Sequence, residues 1–194
     1  MELDFTEKET KHFVQNRWID LREVWYTMPD GELGGPYYTY SRKNYAVIVA
    51  TDTEGRFICV QQFRSGLGRV TTEFPAGGLE REGEKQYGPD EEGQEPALEA
   101  AQRELLEETG YVSAEWESVI TVPSQATMAD NLAYIFRAKN CRLAAGQHLD
   151  ETEFLNVLLL APGELEARIR TGGFEQAVHI MAWALCRLQE SAGD

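Results

Sequence analysis

Glu95-Pro-Ala-Leu-Glu-Ala-Ala-Gln-Arg-Glu-Leu-Leu-Glu-Glu-Thr-Gly-Tyr111 is the stretch on which the reading of this chain turns. It reads as a helix. Pro96 suits the first helical position, where its missing N–H costs nothing. Gly110 stands where helices commonly end in a left-handed residue. Ala97, Leu98, Ala101 and Leu105 recur at three- and four-residue steps and give an apolar stripe. The acids are the anomaly. Glu104 and Glu108 are one turn apart and Glu107 follows Glu104 by three, so these carboxylates share one side. Like charges so placed destabilise an isolated helix. A hard divalent cation held by oxygens would neutralise them. A solvated acidic face is the alternative, and the commoner end for a charge run.

Composition sets the bounds. The chain has 194 residues, 42% of them hydrophobic, and a formal net charge of −15 at pH 7. That length suits one domain, or one domain with a small extension. The negative charge argues against nucleic acid as a partner, because broad phosphate contact needs a basic patch. It leaves room for a small phosphorylated substrate, since a bound cation can join acidic side chains to phosphates. Cys59, Cys141 and Cys186 lie in apolar patterns without metal-like spacing, and read as buried free thiols of a reducing compartment. The polar start, Met1 to Asp4, has no signal-peptide pattern. No apolar run approaches the length of a membrane span. These features point to the cytoplasm and to no membrane partner.

Along the chain, residues 11–27 carry short strand-like stretches, notably Phe13-Val14 and Trp18 to Tyr26. Pro29-Asp30-Gly31 is a turn signal, and Tyr37 to Tyr40 read as the returning strand. Residues 1–43 are thus a small N-terminal sheet, ahead of a main domain over residues 44–194. In that domain Tyr45 to Ala50 and Arg56 to Arg64 flank the turn Asp52 to Gly55 as a hairpin. Thr71 to Phe74 form a short strand, and Pro75-Ala76-Gly77-Gly78 follow, where glycine lets backbone approach a ligand or metal closely. Residues 84–94 read as a polar loop, a candidate flap over a cleft. Ser118 to Val122, Asn131 to Arg137 and Phe154 to Leu160 are strand-like. Pro162 opens a helix over residues 163–170. A final helix carries the stripe Ala177, Ile180, Met181, Ala184 and Leu188. His12, His148 and His179 have no partner motif and read as structural.

From Glu95 to Tyr111 the run resembles the Nudix box, whose pattern is G-x5-E-x7-R-E-U-x-E-E-x-G-U with U bulky and apolar. Glu95, Arg103, Glu104, Leu105, Glu107, Glu108, Gly110 and Tyr111 all match. Upstream the chain departs: Pro89 stands where the first glycine is due. The glycines come earlier, in Pro75 to Glu84, and Gly78 to Glu84 repeat the G-x5-E spacing. An insertion over Lys85 to Gln94 accounts for this, and loops tolerate such additions. Either Glu84 or Glu95 then fills the place of the first box glutamate.

The resemblance implies the fold class α/β: a Nudix α/β/α sandwich around a mixed sheet, with the box helix beside it and a small N-terminal antiparallel β-sheet added. It implies metal-dependent hydrolysis of the pyrophosphate bond of a nucleoside diphosphate sugar, with ADP-ribose, cleaved to AMP and ribose 5-phosphate, the first choice. The cofactor would be Mg²⁺ or Mn²⁺, held by Glu104, Glu107 and Glu108 with the carbonyl of Ala76. Glu104 and Glu108 would be the firmest ligands. Arg103 would orient these glutamates by ion pairing. Glu153 or Glu151, in the acidic loop before a late strand, would position or deprotonate the attacking water, Glu153 being preferred; a solvated loop is the alternative. Arg64, at a strand end, is either a phosphate-side arginine or a surface charge, and Glu73 resembles a position near substrate. Trp18 or Tyr40 would stack on the purine. Similar ADP-ribose pyrophosphatases imply a homodimer through the N-terminal sheet. Pro123 falls short of Ala126, where their loop proline is due, and Asp130-Asn131 resembles nucleotide-sugar hydrolases instead. GDP-mannose or another nucleotide sugar, NADH and dinucleoside polyphosphates are alternative substrates. A non-hydrolytic nucleotide-sugar-binding regulator is the alternative from another class; it predicts a broken box and a DNA-binding domain, and the box here keeps all its carboxylates.

Overall fold

A computed structural model describes residues 2–83, 85–88 and 93–191. Glu84 and Pro89, singled out above, lie outside the described residues. The chain divides into two units, Met1–Asn44 with Glu80–Glu95 and Val122–Leu132, and Tyr45–Leu79 with Pro96–Thr121 and Ala133–Asp194.

The first unit is built on an antiparallel sheet of β1 (Thr6–Gln15), β2 (Asp20–Thr27) and β3 (Leu33–Ser41) in that order. The turn after β2 closes as its Pro-Asp-Gly sequence predicts, with Gly31 N–H donating to Met28 O at 2.8 Å. β1 begins earlier than the aromatic pair Phe13-Val14 suggested. Its charged alternation has no apolar face to betray it, and nearly all of it is exposed. It is a strand because it pairs with β2, not because it buries a side chain. Arg22 knots this unit together. It reaches Asp20 (3.2 Å), Ser41 (2.7 Å) and Asp130 (3.0 Å), and Ser41 in turn donates to Asp130. Asn131 donates to Lys43 O at 3.0 Å, so Asp130-Asn131 fasten the 122–132 loop to the end of β3. The inserted segment leaves and returns at one place: Arg81 bridges Gln94, and Glu82 N–H donates to Gly93 O at 2.9 Å.

The second unit carries the mixed sheet: β4 (Tyr45–Asp52), β5 (Phe57–Arg64), β6 (Arg69–Glu73), β7 (Ala76–Gly78), β8 (Tyr111–Val112), β9 (Glu115–Pro123), β10 (Leu132–Leu143) and β11 (Leu155–Leu160). The central order is β11-β5-β4-β10-β8, with β6 on β5, β7 on β4 and β9 on β10. β4 and β10 run parallel, whereas β5 pairs antiparallel with β4, β6 and β11. Helix α1 (Ala97–Thr109) packs on one face, against Ala46, Ile48 and Ala50. Helix α3 (Ala177–Ser191) covers the other, where Val49 and Thr51 face Trp183 and Cys186 around a cavity of about 410 Å³. Between them in sequence lies α2 (Pro162–Thr171). The α/β/α layering and the added N-terminal sheet agree with the fold the box implied. All three cysteines are free and buried; burial pushes the Cys59 thiol up to about 12 and those of Cys141 and Cys186 to about 11.

Two details of α1 differ from the sequence reading. Pro96 is the N-cap, extended at ψ 130°, so the helix starts one residue later. The buried face is also rotated. Ala100, Ala101 and Leu105 are sealed, while Leu98 is 40% exposed. Ala100, Ala101 and Leu105 share the core with Ala46, Ile48 and Ala50 of β4, and Leu98 sits on the outer side. The glycine run after Pro75 forms a short strand, β7.

Candidate active site

β7 runs alongside α1, and each of its residues meets the helix. Ala76 N–H donates to Glu108 Oε2 at 3.1 Å. A Cβ at Gly77 would overlap the Glu104 carboxylate, so the absence of a side chain there makes the notch that carboxylate occupies. Gly78 O accepts from Arg103 at 3.2 Å. The Pro-Ala-Gly-Gly sequence thus admits a close approach, and a catalytic-helix carboxylate is what approaches.

Glu104 and Glu108 sit one turn apart on the covered side of α1. Glu108 is only 4% exposed, and its pKa is pushed well above the ordinary carboxylate value by burial first and by the charge of Glu104 second. Glu104 is raised by burial, partly offset by Arg103. Arg103 reaches Glu104 at 2.8 Å and Glu107 at 3.0 Å. Glu107 is the outer member, its side chain 38% exposed and turned to Arg103. Among the described residues no three His, Cys, Asp or Glu side chains converge on one point as a preformed cage. Two carboxylates on the covered side of the helix, the charge of Glu104 raising Glu108, in a notch that a methyl group would fill, nonetheless form the hard-oxygen donor set that a divalent cation takes. The residues present fit such an ion.

Arg64 and Glu73 form one unit. Arg64 Nε donates to Glu73 Oε1 at 2.8 Å, and Glu73 is completely buried. Its pKa is raised by burial and pulled back by Arg64. Glu73 therefore reaches the arginine and not solvent, while the charge of Arg64 extends to Glu108, which it favours in its ionised form. Upstream of the notch, Phe74 N–H donates to Nδ1 of the buried His179 at 3.1 Å. The histidine read as structural is the anchor of the strand that leads into β7, and burial pushes its pKa down to about 3.

The acidic loop lies in the same unit. Glu153 closes a turn on Asp150, donating its N–H to Asp150 O at 2.9 Å and accepting the Asp150 N–H at 3.3 Å. Its charge adds to the upward shift of both Glu104 and Glu108. Glu151 is exposed at the turn's tip. Trp18 and Tyr40 belong to the first unit. Trp18 is 54% exposed, with the Arg17 guanidinium 4.4 Å from its ring centroid, and Tyr40 Oη donates to Gln125 at 2.9 Å. Glu95, also there, accepts the Glu80 N–H at 3.0 Å. The sequence reading missed Gln147, whose amide donates to Glu108 O at 2.7 Å. No motif could have found it, because its role depends on where a loop folds back.

A carboxylate helix laid in a glycine notch beside a mixed sheet is the arrangement of a Nudix hydrolase. The NUDIX domain family profile matches residues 41–183, and the chain belongs to that family. It is 33% identical over 141 residues to the ADP-ribose pyrophosphatase of Bacillus subtilis (strain 168), covering 72% of this chain and 69% of that protein. It is 29% identical over 192 residues to the methanol dehydrogenase activator of Bacillus methanolicus, covering 96% of each. A crystal structure of an ADP compounds hydrolase superposes with a TM-score of 0.80 at 16% identity, covering 100% of this chain and 98% of that one. Among the described residues, no helix is long and apolar enough to cross a membrane.

Proposed function

We propose that the chain hydrolyses the pyrophosphate bond of a nucleoside diphosphate sugar, ADP-ribose before others, giving AMP and ribose 5-phosphate. The observation that carries this is the Glu104–Glu108 pair in the Gly77 notch. These two residues would hold Mg²⁺ or Mn²⁺, with Glu107 and the Ala76 carbonyl at the margin. When bound, the ion would neutralise phosphate oxygens and acidify water. The chain's own residues do the rest. Arg103 keeps Glu104 and Glu107 from swinging away. Arg64, held by Glu73, offers a guanidinium to the phosphates. Glu153, and failing it Glu151, takes the proton of the attacking water. Trp18 or Tyr40 of the N-terminal sheet, residues 1–43, would stack on the purine. That sheet exposes Phe13, Tyr37 and Tyr38, which suits pairing with a second copy; sedimentation would report a dimer.

The deciding experiment is AMP release from ADP-ribose with Mg²⁺, comparing the parent with Glu108→Gln. Parent activity that survives the substitution would refute the metal assignment. GDP-mannose, UDP-glucose, NADH and diadenosine polyphosphates belong in the same panel, because the residues that read the base lie outside the box. A second reading rests on the relative matched over 96% of both chains, which is a methanol dehydrogenase activator. On that reading the hydrolase acts on a dehydrogenase reaction. A methanol dehydrogenase assay run with and without the protein distinguishes the two.

A further inference from the structure

The last turn of α1 is electrostatically the wrong place for acids. Helix carbonyls there already carry partial negative charge, and that turn holds Glu107 and Glu108 with no basic residue. Neighbouring donors compensate. Gly110 N–H bonds Leu106 O at 2.7 Å and His148 N–H bonds Glu107 O at 2.9 Å, while the N–H groups of Ala144 and Ala145 bond Gly110 O at 2.9 and 3.2 Å. All of these are backbone donors. Besides the Thr109 hydroxyl, which donates to Leu105 O within the helix, a side-chain donor comes from outside it: Gln147, whose amide bonds Glu108 O at 2.7 Å and approaches Leu155 O at 3.5 Å. Leu155 opens β11 just after Glu153. One amide therefore spans the helix turn that carries the buried carboxylate and the strand end that carries the loop acid.

We propose that Gln147 is a positioning residue for the hydrolysis, setting the distance between the Glu108 turn and Glu153. The inference rests on the reading of Glu153 as the group at the attacking water. Gln147 is exposed, so replacing it opens no cavity, and a loss of rate would not come from a collapsed core. Outer residues that orient reacting groups commonly contribute about 10–100-fold.

The test uses the full chain with ADP-ribose and Mg²⁺. Gln147→Met keeps the length and removes the donors; it should lower kcat about tenfold with KM nearly unchanged. Gln147→Lys, whose ammonium can donate to the same carbonyls, should restore most of the rate. In a double-mutant cycle, Gln147→Met should cost nothing further once Glu153→Gln is present, because the group it positions is gone. A merely stabilising role predicts losses that multiply in the double-mutant cycle. Hydrogen exchange of backbone amides 149–155 should quicken in Gln147→Met without substrate present. If Gln147→Met fails to fold, Gln147→Asn takes its place, since its amide is too short to reach both carbonyls. Parent-like rates in Gln147→Met beside an impaired Glu153→Gln would overturn this inference alone. Parent-like rates in Glu108→Gln or Glu153→Gln would overturn the reading of the site, and this inference with it.

Discussion

Helices α1 and α2 end at the same kind of residue and carry opposite charge in their last turns. Both stop at a left-handed glycine, Gly110 at φ 77° and Gly172 at φ 78°. α2 follows the dipole. Its first turn holds Glu164, which accepts the Ala161 N–H at 2.9 Å, and its last turn holds Arg168 and Arg170. α1 carries acids in its last turn with no base there. The last-turn charges of α2 serve the helix, whereas those of α1 work against it. A chain keeps such a conflict where the groups have another task, and the energetic conflict marks the site as clearly as the motif does.

The largest effect should come from removing the conflict. Glu108→Gln is expected to lower hydrolysis roughly 10²–10³-fold while raising the melting temperature by about 2–4 °C, equivalent to roughly 1 kcal/mol. A variant both slower and less stable would erase the contrast with α2. Gly77→Ala tests the same notch from the strand side. Its methyl would displace the Glu104 carboxylate, and a misplacement of that kind costs about 10²-fold in rate. Steady-state kinetics and circular dichroism together would separate this loss from unfolding.

His179 supplies the comparison case, a buried titratable group that serves the fold. The unfolded chain takes up its proton near 6.5, whereas the folded chain resists until about 3. Its contribution is therefore present above 6.5 and lost as pH falls through that window, roughly 2 kcal/mol by pH 5. Protonating Nδ1 would also break the bond from Phe74. Denaturant melts of the parent should weaken from pH 7 to 5, and His179→Gln should flatten that slope. The smallest effect belongs to α2. Arg170→Ala removes an exposed pair with Glu166 at 2.7 Å and should change stability by about 0.5 kcal/mol or less, with hydrolysis unaltered.

Much of α1 was legible because its signals are local. Gly110, the spacing of the glutamates and Arg103 all act within a few residues of chain. What escaped was tertiary. Leu98 falls in the apolar stripe and Ala100 does not, yet Ala100 is the one sealed, in the core with Ala46, Ile48 and Ala50 of β4. Glu73 is marked in the sequence by resemblance alone; its burial and its bond to Arg64 are tertiary facts. The charged strand β1 hides because it buries nothing. Whether a loop acid matters depends on which turn it closes, and Glu153 closes one that Glu151 only decorates.

The three sulfhydryls described above have a practical consequence. Each lies under side chains and is held protonated by burial, so none competes for a thiol-directed dye at neutral pH. A lone cysteine introduced at Thr152, on the exposed Asp150–Glu153 turn, would take a fluorophore without first stripping the native chain of sulfur. Such a reporter could follow the turn in real time as nucleotide is added.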